Sequence, residues 1–185
     1  MGYKGWEEYN PAQKNYKDPR KQLQGSKNRL RGLTFENMID YSCLQYRLKK
    51  RAEIEKTPEP LEIEGSPIGH SFRTHFTKKA QPDFKGTLRG GRSVVFEAKT
   101  VQKNRIYHSA VTPAQQEQLD RHYELGALCF VLVSVGLTKF YRVPWRVWND
   151  MKRIYGRKYM TQEELAEFQV EERNGAILFL EGAWQ

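Results

Sequence analysis

Apolar and polar positions recur along this chain in two different periods, and each change of period marks an element. From residue 33 to about 50, Phe35, Met38, Ile39, Ser42 and Tyr46 fall near one face at helical spacing. This predicts a helix, and Lys49, Lys50 and Arg51 load its C-terminal end with charge that suits the helix dipole. Residues 52–56 read as a short strand, which Thr57-Pro58-Glu59-Pro60 brings to an end. Residues 83–88 and 92–99 alternate with period two around Arg89-Gly90-Gly91, the pattern of a hairpin. Thr112 is a good N-cap with Pro113 at the first helical position, and Gly126 closes that helix. Residues 127–133 are continuously apolar, as in a strand buried on both faces. A second strand over 138–143 follows the turn at Gly136, and Pro144 opens a helix containing Trp145, Trp148 and Met151. Thr161-Gln162-Glu163-Glu164 has the form of a capping box, and 177–180 read as a last strand. The order of elements predicts an α/β fold with a mixed sheet flanked by helices.

Two stretches lack either period. Residues 1–31 hold eight Lys or Arg against three acids, with sparse apolar residues, and predict a flexible basic arm that includes Arg29 and Arg31. Residues 61–80 carry Gly65, Ser66, Pro67 and Gly69, which predict an irregular excursion. Phe72, Arg73, His75, Phe76, Lys78 and Lys79 cluster there, a mixture suited to stacking on and neutralising nucleic acid. The expected organisation is an arm over 1–31 and one domain over 32–185, with 61–80 as an insertion.

Charge sharpens this picture. The 185 residues carry a formal net charge of +9, five of it in the arm, which favours a polyanionic partner. The longest apolar run, 127–133, is far short of the roughly 20 residues of a membrane span. No apolar stretch suited to secretion follows the N-terminus, so the expected location is the cytoplasm, with no membrane partner. Cys43 and Cys129 are too few for a disulfide framework or a zinc site, and the four histidines lack ligand spacing.

The hairpin carries the candidate chemistry. Side chains two apart on a strand share a face, so Glu97 and Lys99 project together, and Asp83 can join them from the opposite strand. Opposed residues in an antiparallel pair have a constant index sum. Asp83 opposite Glu97 makes that sum even, which requires an odd loop such as the three-residue Arg89-Gly90-Gly91, or a bulge. Two carboxylates beside one ammonium suit phosphodiester hydrolysis. Asp83 and Glu97 can hold Mg2+, with Mn2+ as a substitute, and the Ala98 carbonyl can contribute. Lys99 can orient a water or stabilise developing negative charge.

Pro82-Asp83 followed by Glu97-Ala98-Lys99 matches the PD-(D/E)xK nuclease signature. Gly32-Leu33-Thr34-Phe35-Glu36, Lys56-Thr57-Pro58-Glu59-Pro60, Pro82-Asp83-Phe84-Lys85-Gly86, Phe96-Glu97-Ala98-Lys99-Thr100 and Gly126-Ala127-Leu128-Cys129-Phe130 resemble, in order, segments of RecU-type Holliday junction resolvases. Ala114-Gln115 falls where that family carries a glutamine at the start of a helix. The resemblance implies a PD-(D/E)xK nuclease-like sheet with residues 61–80 as a protruding stalk. It implies a homodimeric, magnesium-dependent enzyme that nicks opposed strands of four-way DNA junctions in recombination and repair. Asp83, Glu97 and Lys99 carry over as the core site, with Glu36 as an extra ligand and Gln115 as a lining residue. Arg29, Arg31, Arg73, Lys78, Lys79 and Lys103 are the expected DNA-binding residues. Two other readings stand beside this one: a PD-(D/E)xK nuclease acting on other DNA, and a basic nucleic-acid-binding protein without catalysis.

Overall fold

The computed structural model describes the backbone of residues 19–58, 61–68, 71–76, 81–102 and 105–182, and the side chains of residues 34–58, 81–102 and 105–182. Helix α1 (Pro19–Leu48) leads into β1 (Ala52–Lys56), then β2 (Leu61–Ile68) and β3 (Ser71–Phe76). The hairpin β4 (Phe84–Leu88) and β5 (Ser93–Val101) follows, then the short β6 (Arg105–Tyr107) and helix α2 (Pro113–Glu124). Strands β7 (Leu128–Val135) and β8 (Lys139–Pro144) precede α3 (Trp145–Asn149) and α4 (Met151–Tyr155). The chain continues through β9 (Tyr159–Thr161), α5 (Gln162–Leu165), β10 (Gln169–Val170), β11 (Glu172–Arg173) and β12 (Ala176–Ile177).

Six strands form one sheet in the order β1-β4-β5-β7-β8-β10. All neighbours are antiparallel except β5 and β7, which run parallel and so reach the same end of the sheet together. A mixed sheet flanked by helices is what the periodicity predicts. Alternation along β5 and β7 divides the core in two. Val94, Phe96, Phe130 and Leu132 face α1, packing with Phe35, Ile39, Cys43 and Tyr46. Val95, Cys129, Val131 and Val133 face the other way, towards Leu119 of α2 and Trp145 and Trp148 of α3. Opposed positions on three adjacent strands, Phe84, Phe96 and Phe130, stack their rings at centroid distances of 4.9 and 4.6 Å.

The hairpin register has the predicted parity. Phe84 opposes Phe96 and Thr87 opposes Ser93, a constant even sum. Leu88 N–H donates to the Arg92 carbonyl at 2.8 Å, which leaves Arg89-Gly90-Gly91 as a three-residue loop. Gly90 and Gly91 take φ of 96° and 91°, values that glycine adopts without steric cost. Gly86 serves a different need. A Cβ there would lie 2.1 Å from the Glu53 carbonyl oxygen and 2.6 Å from the Ile54 Cα on β1.

Three expectations need correction. The arm does not extend to residue 31, because α1 begins at Pro19. Arg, Lys, Gln and Leu between 20 and 31 are good helix formers, and a helix can rest on propensity where no apolar stripe announces it. The excursion over 61–80 contains regular structure: β2 and β3 form an antiparallel two-stranded sheet of their own, with a register shift between Glu64 and Ile68. Gly65, Ser66 and Pro67, which read as breakers, fall at that irregularity. Residues 177–180 are not a strand beyond Ile177, although Phe179 and Leu180 are buried.

Candidate active site

β4 and β5 lie side by side in the sheet, and Asp83 immediately precedes β4, at the end where β5 approaches its C-terminus. The Thr57 N–H donates to the Asp83 carbonyl at 2.8 Å, so β1 fixes the Asp83 backbone. The Asp83 side chain turns to β5, where its Oδ2 accepts the Ala98 N–H at 2.9 Å. Glu97 and Lys99 project from β5 on the α2 side of the sheet. Lys99 Nζ lies 2.8 Å from Glu97 Oε2 and 3.9 Å from Asp83 Oδ2. The three residues singled out in the sequence therefore converge on one point.

Helix α2 closes the site from above. Thr112 and Gln115 form a reciprocal capping box: the Gln115 N–H donates to Thr112 Oγ1, and the Thr112 N–H donates to Gln115 Oε1 at 3.0 Å. With Oε1 so engaged, the Gln115 Nε2 is left to donate, and it reaches Glu97 Oε2 at 2.7 Å.

Glu97 is the anomaly of the site. It is 0% exposed, and while Oε2 accepts from Lys99 and Gln115, Oε1 is buried with no hydrogen-bond partner. Burial is the main cause pushing its pKa up to about 8, and the neighbouring Asp83 carboxylate adds to the rise against the pull of Lys99. An acidic oxygen buried without a donor is costly unless a cation meets it. The oxygen donors of Asp83 and Glu97 suit a hard divalent ion, so the residues present fit such a group.

Glu36 stands apart from this pair. Its carboxylate is held by Lys56 at 2.6 Å, and among the described residues no third acid, histidine or cysteine groups with Asp83 and Glu97. Lys56, which the sequence did not single out, pairs with Glu36 within reach of the charge of Asp83. Its pKa is raised first by the hydrogen bond it donates to Glu36, and the charge of Asp83 also contributes. The reason is positional: Lys56 ends β1 opposite Phe84, the residue after Asp83. Of the expected DNA-binding residues, Lys78, Lys79 and Lys103 lie outside the described residues, as do the side chains of Arg29, Arg31 and Arg73.

The model of the family described as RecU, Recombination protein U, matches residues 30–182. The chain belongs to the RecU family. It is 31% identical over 121 residues to the Holliday junction resolvase RecU of Streptococcus sanguinis (strain SK36), covering 62% of this chain and 60% of that protein. It is 30% identical over 111 residues to the RecU of Shouchella clausii (strain KSM-K16), covering 56% of this chain and 52% of that one. The chain thus spans roughly half to three fifths of the length of these two RecU proteins. A longer match joins it to the RecU of Streptococcus pneumoniae serotype 19F (strain G54), 28% identical over 158 residues, or 80% of this chain and 78% of that protein. Among solved structures, Archaeoglobus fulgidus Hjc, a Holliday junction resolvase, superposes with a TM-score of 0.47 and 14% identity over 74% of this chain and 93% of that one. Among the described residues of this RecU-family chain, no helix is long and apolar enough to cross a membrane.

Proposed function

We propose that this protein is a divalent-metal-dependent endonuclease that resolves four-way DNA junctions, acting as a homodimer, with Mg2+ as its ion and Mn2+ as a substitute. The observation that supports this most is the buried, unpartnered Oε1 of Glu97 beside Asp83 and Lys99. Asp83 and Glu97 would hold the ion, and a bound divalent ion supplies an acidified water and charge neutralisation at the phosphate. The chain's own residues do the rest. Gln115 and Lys99 fix the Glu97 carboxylate through Oε2, leaving Oε1 free to ligate. The Ala98 N–H orients Asp83. Lys99, only 19% exposed in its side chain, keeps an ammonium beside both carboxylates, where it can meet the negative charge that develops on a phosphoryl oxygen. The RecU names borne by its relatives favour junctions over linear duplex as the substrate.

The test offers the purified full chain a labelled four-way junction and a matched linear duplex, with Mg2+ and with EDTA. Paired symmetric nicks in the junction, dependent on Mg2+, are expected. Asp83→Asn and Glu97→Gln should each lose cleavage while binding the junction about as tightly as wild type, because the basic surface is untouched. Wild-type cleavage rates in either variant would overturn the site.

A further inference from the structure

The small sheet of β6 and β9 has no part in the chemistry above, yet it lies beside it. β6 begins four residues after β5 ends, and the segment it opens runs on to Thr112 and Gln115, which close the site. It also packs on the same side of the central sheet as Glu97 and Lys99, since Ile106, Val111 and Met160 share a core with Val95 and Leu119. Ile106 opposes Met160 in the register, and both are fully buried. Period-two alternation then sends their neighbours Arg105, Tyr107 and Tyr159 to the outer face. Tyr107, 49% exposed, leans on Tyr159 at a ring distance of 5.6 Å. The guanidinium of Arg105 lies 5.2 Å over the Tyr159 ring, and that of Arg157 lies 4.7 Å from it.

The two arginines differ in what they have left to offer. Arg157 is held by both carboxylate oxygens of Glu164, at 2.8 and 2.9 Å. Arg105 is exposed and has no ion pair among the described residues, but the Tyr159 ring holds it in place. A guanidinium stacked on an aromatic ring keeps its N–H edge available while losing much of its rotamer freedom, so less ordering entropy remains to be lost on binding. The Lys158 carbonyl accepts the His108 N–H at 3.0 Å, which ties the start of β9 to the end of β6.

We propose that Arg105, held over Tyr159 and aided by the Tyr107 hydroxyl, clamps a backbone phosphate of a DNA arm bound at the site. Such a contact sets position without reading sequence. The inference rests on the DNA-cleaving reading above, and its test separates the two. Binding of the full-length protein to a labelled four-way junction and to linear duplex is titrated in EDTA over a range of salt. Each phosphate contact contributes about 0.9 to the slope of log K against log salt, or about eightfold in affinity at 0.1 M. Arg105→Ala should lose that slope and that affinity. Tyr159→Leu should lose a comparable share of affinity while keeping the Arg105 charge, and Tyr159→Phe, which keeps the ring, should bind as wild type. An Arg105→Ala variant with unchanged slope removes the clamp while leaving the nuclease reading intact. A Tyr159→Leu variant that binds normally shows that the ring does not position Arg105, which overturns the clamp as stated. Wild-type protein that binds neither DNA overturns the functional reading and this inference with it.

Discussion

At the scale of single residues, Glu97 concentrates the tension of the molecule. Its folded pKa of about 8 stands above its ordinary 4.5. The protonated form is therefore favoured in the folded protein, and the stability this confers is complete below about pH 4.5 and is lost as pH rises through 8. In EDTA, the melting temperature of wild-type protein should fall as pH is raised from 5 to 9. Glu97→Gln has no proton to release and should flatten that fall, ending above wild type at pH 9. Identical pH profiles for the two in thermal melts would mean that Glu97 is not held protonated. A ligand carboxylate must also lose its proton to bind a cation, so metal affinity should climb over the same range. None of this tension was legible in the sequence. Alternation places Glu97 on a face with Lys85, Thr87 and Lys99, which reads as solvent-facing, and only the packing of α2 and β6 over that face buries it.

At the scale of elements, the start of α2 joins local folding to the site. Thr112-Pro113-Ala114-Gln115 announces a helix start in sequence, but its second role depends on where the helix docks. Thr112→Ala removes the cap, at a cost of about 1 kcal/mol. It also removes the Thr112 Oγ1 donor at 3.2 Å, one of the two bonds that hold the Gln115 amide towards Glu97, so cleavage should drop by more than the stability change explains. Parallel melting curves and cleavage rates would check this, and unchanged cleavage would sever the link. The β4–β5 hairpin shows the opposite case. Its strands and turn were readable, but the register stayed open between a three-residue loop and a bulge, and only the Leu88 to Arg92 bond decides for the loop. Gly86 was not readable as special, since only the approach of β1 gives it a role. With backbone atoms of β1 closing on its Cβ position, Gly86→Ala should cost about 1–3 kcal/mol and lower the melting temperature, as β1 and β4 are pushed apart. An unaltered melt would contradict so close an approach.

At the scale of the whole molecule, α1 and the C-terminal segment are joined by polar bonds inside an apolar layer. Ser42 Oγ accepts the Ile177 N–H at 2.8 Å and donates to the Met38 carbonyl, while the Tyr46 hydroxyl accepts the Leu180 N–H at 3.0 Å. The Arg142 guanidinium donates to the Phe179 and Glu181 carbonyls from β8. Tyr46→Phe leaves a buried N–H unsatisfied and should cost about 1–3 kcal/mol. For a chain of this size that is about 2–4 °C in melting temperature per kcal/mol. A calorimetric scan matching wild type would show the bond to be dispensable. The sequence placed Tyr46 on the inner face of a helix but gave no sign of its partner, because a contact across more than 130 residues leaves no local pattern. The same locality explains β6, β9 and β10: strands of two or three residues are too short to show a period.

That latch bears on how the protein is made. The helix emerges from the ribosome early, yet its inner face stays incompletely covered until translation has passed Leu180. Any nascent fragment ending before that point leaves the Ser42 and Tyr46 end of that face without the strap that seals it. Sealing of that face should therefore wait on synthesis through Leu180, with chaperone capture most frequent on chains stalled between β8 and that point.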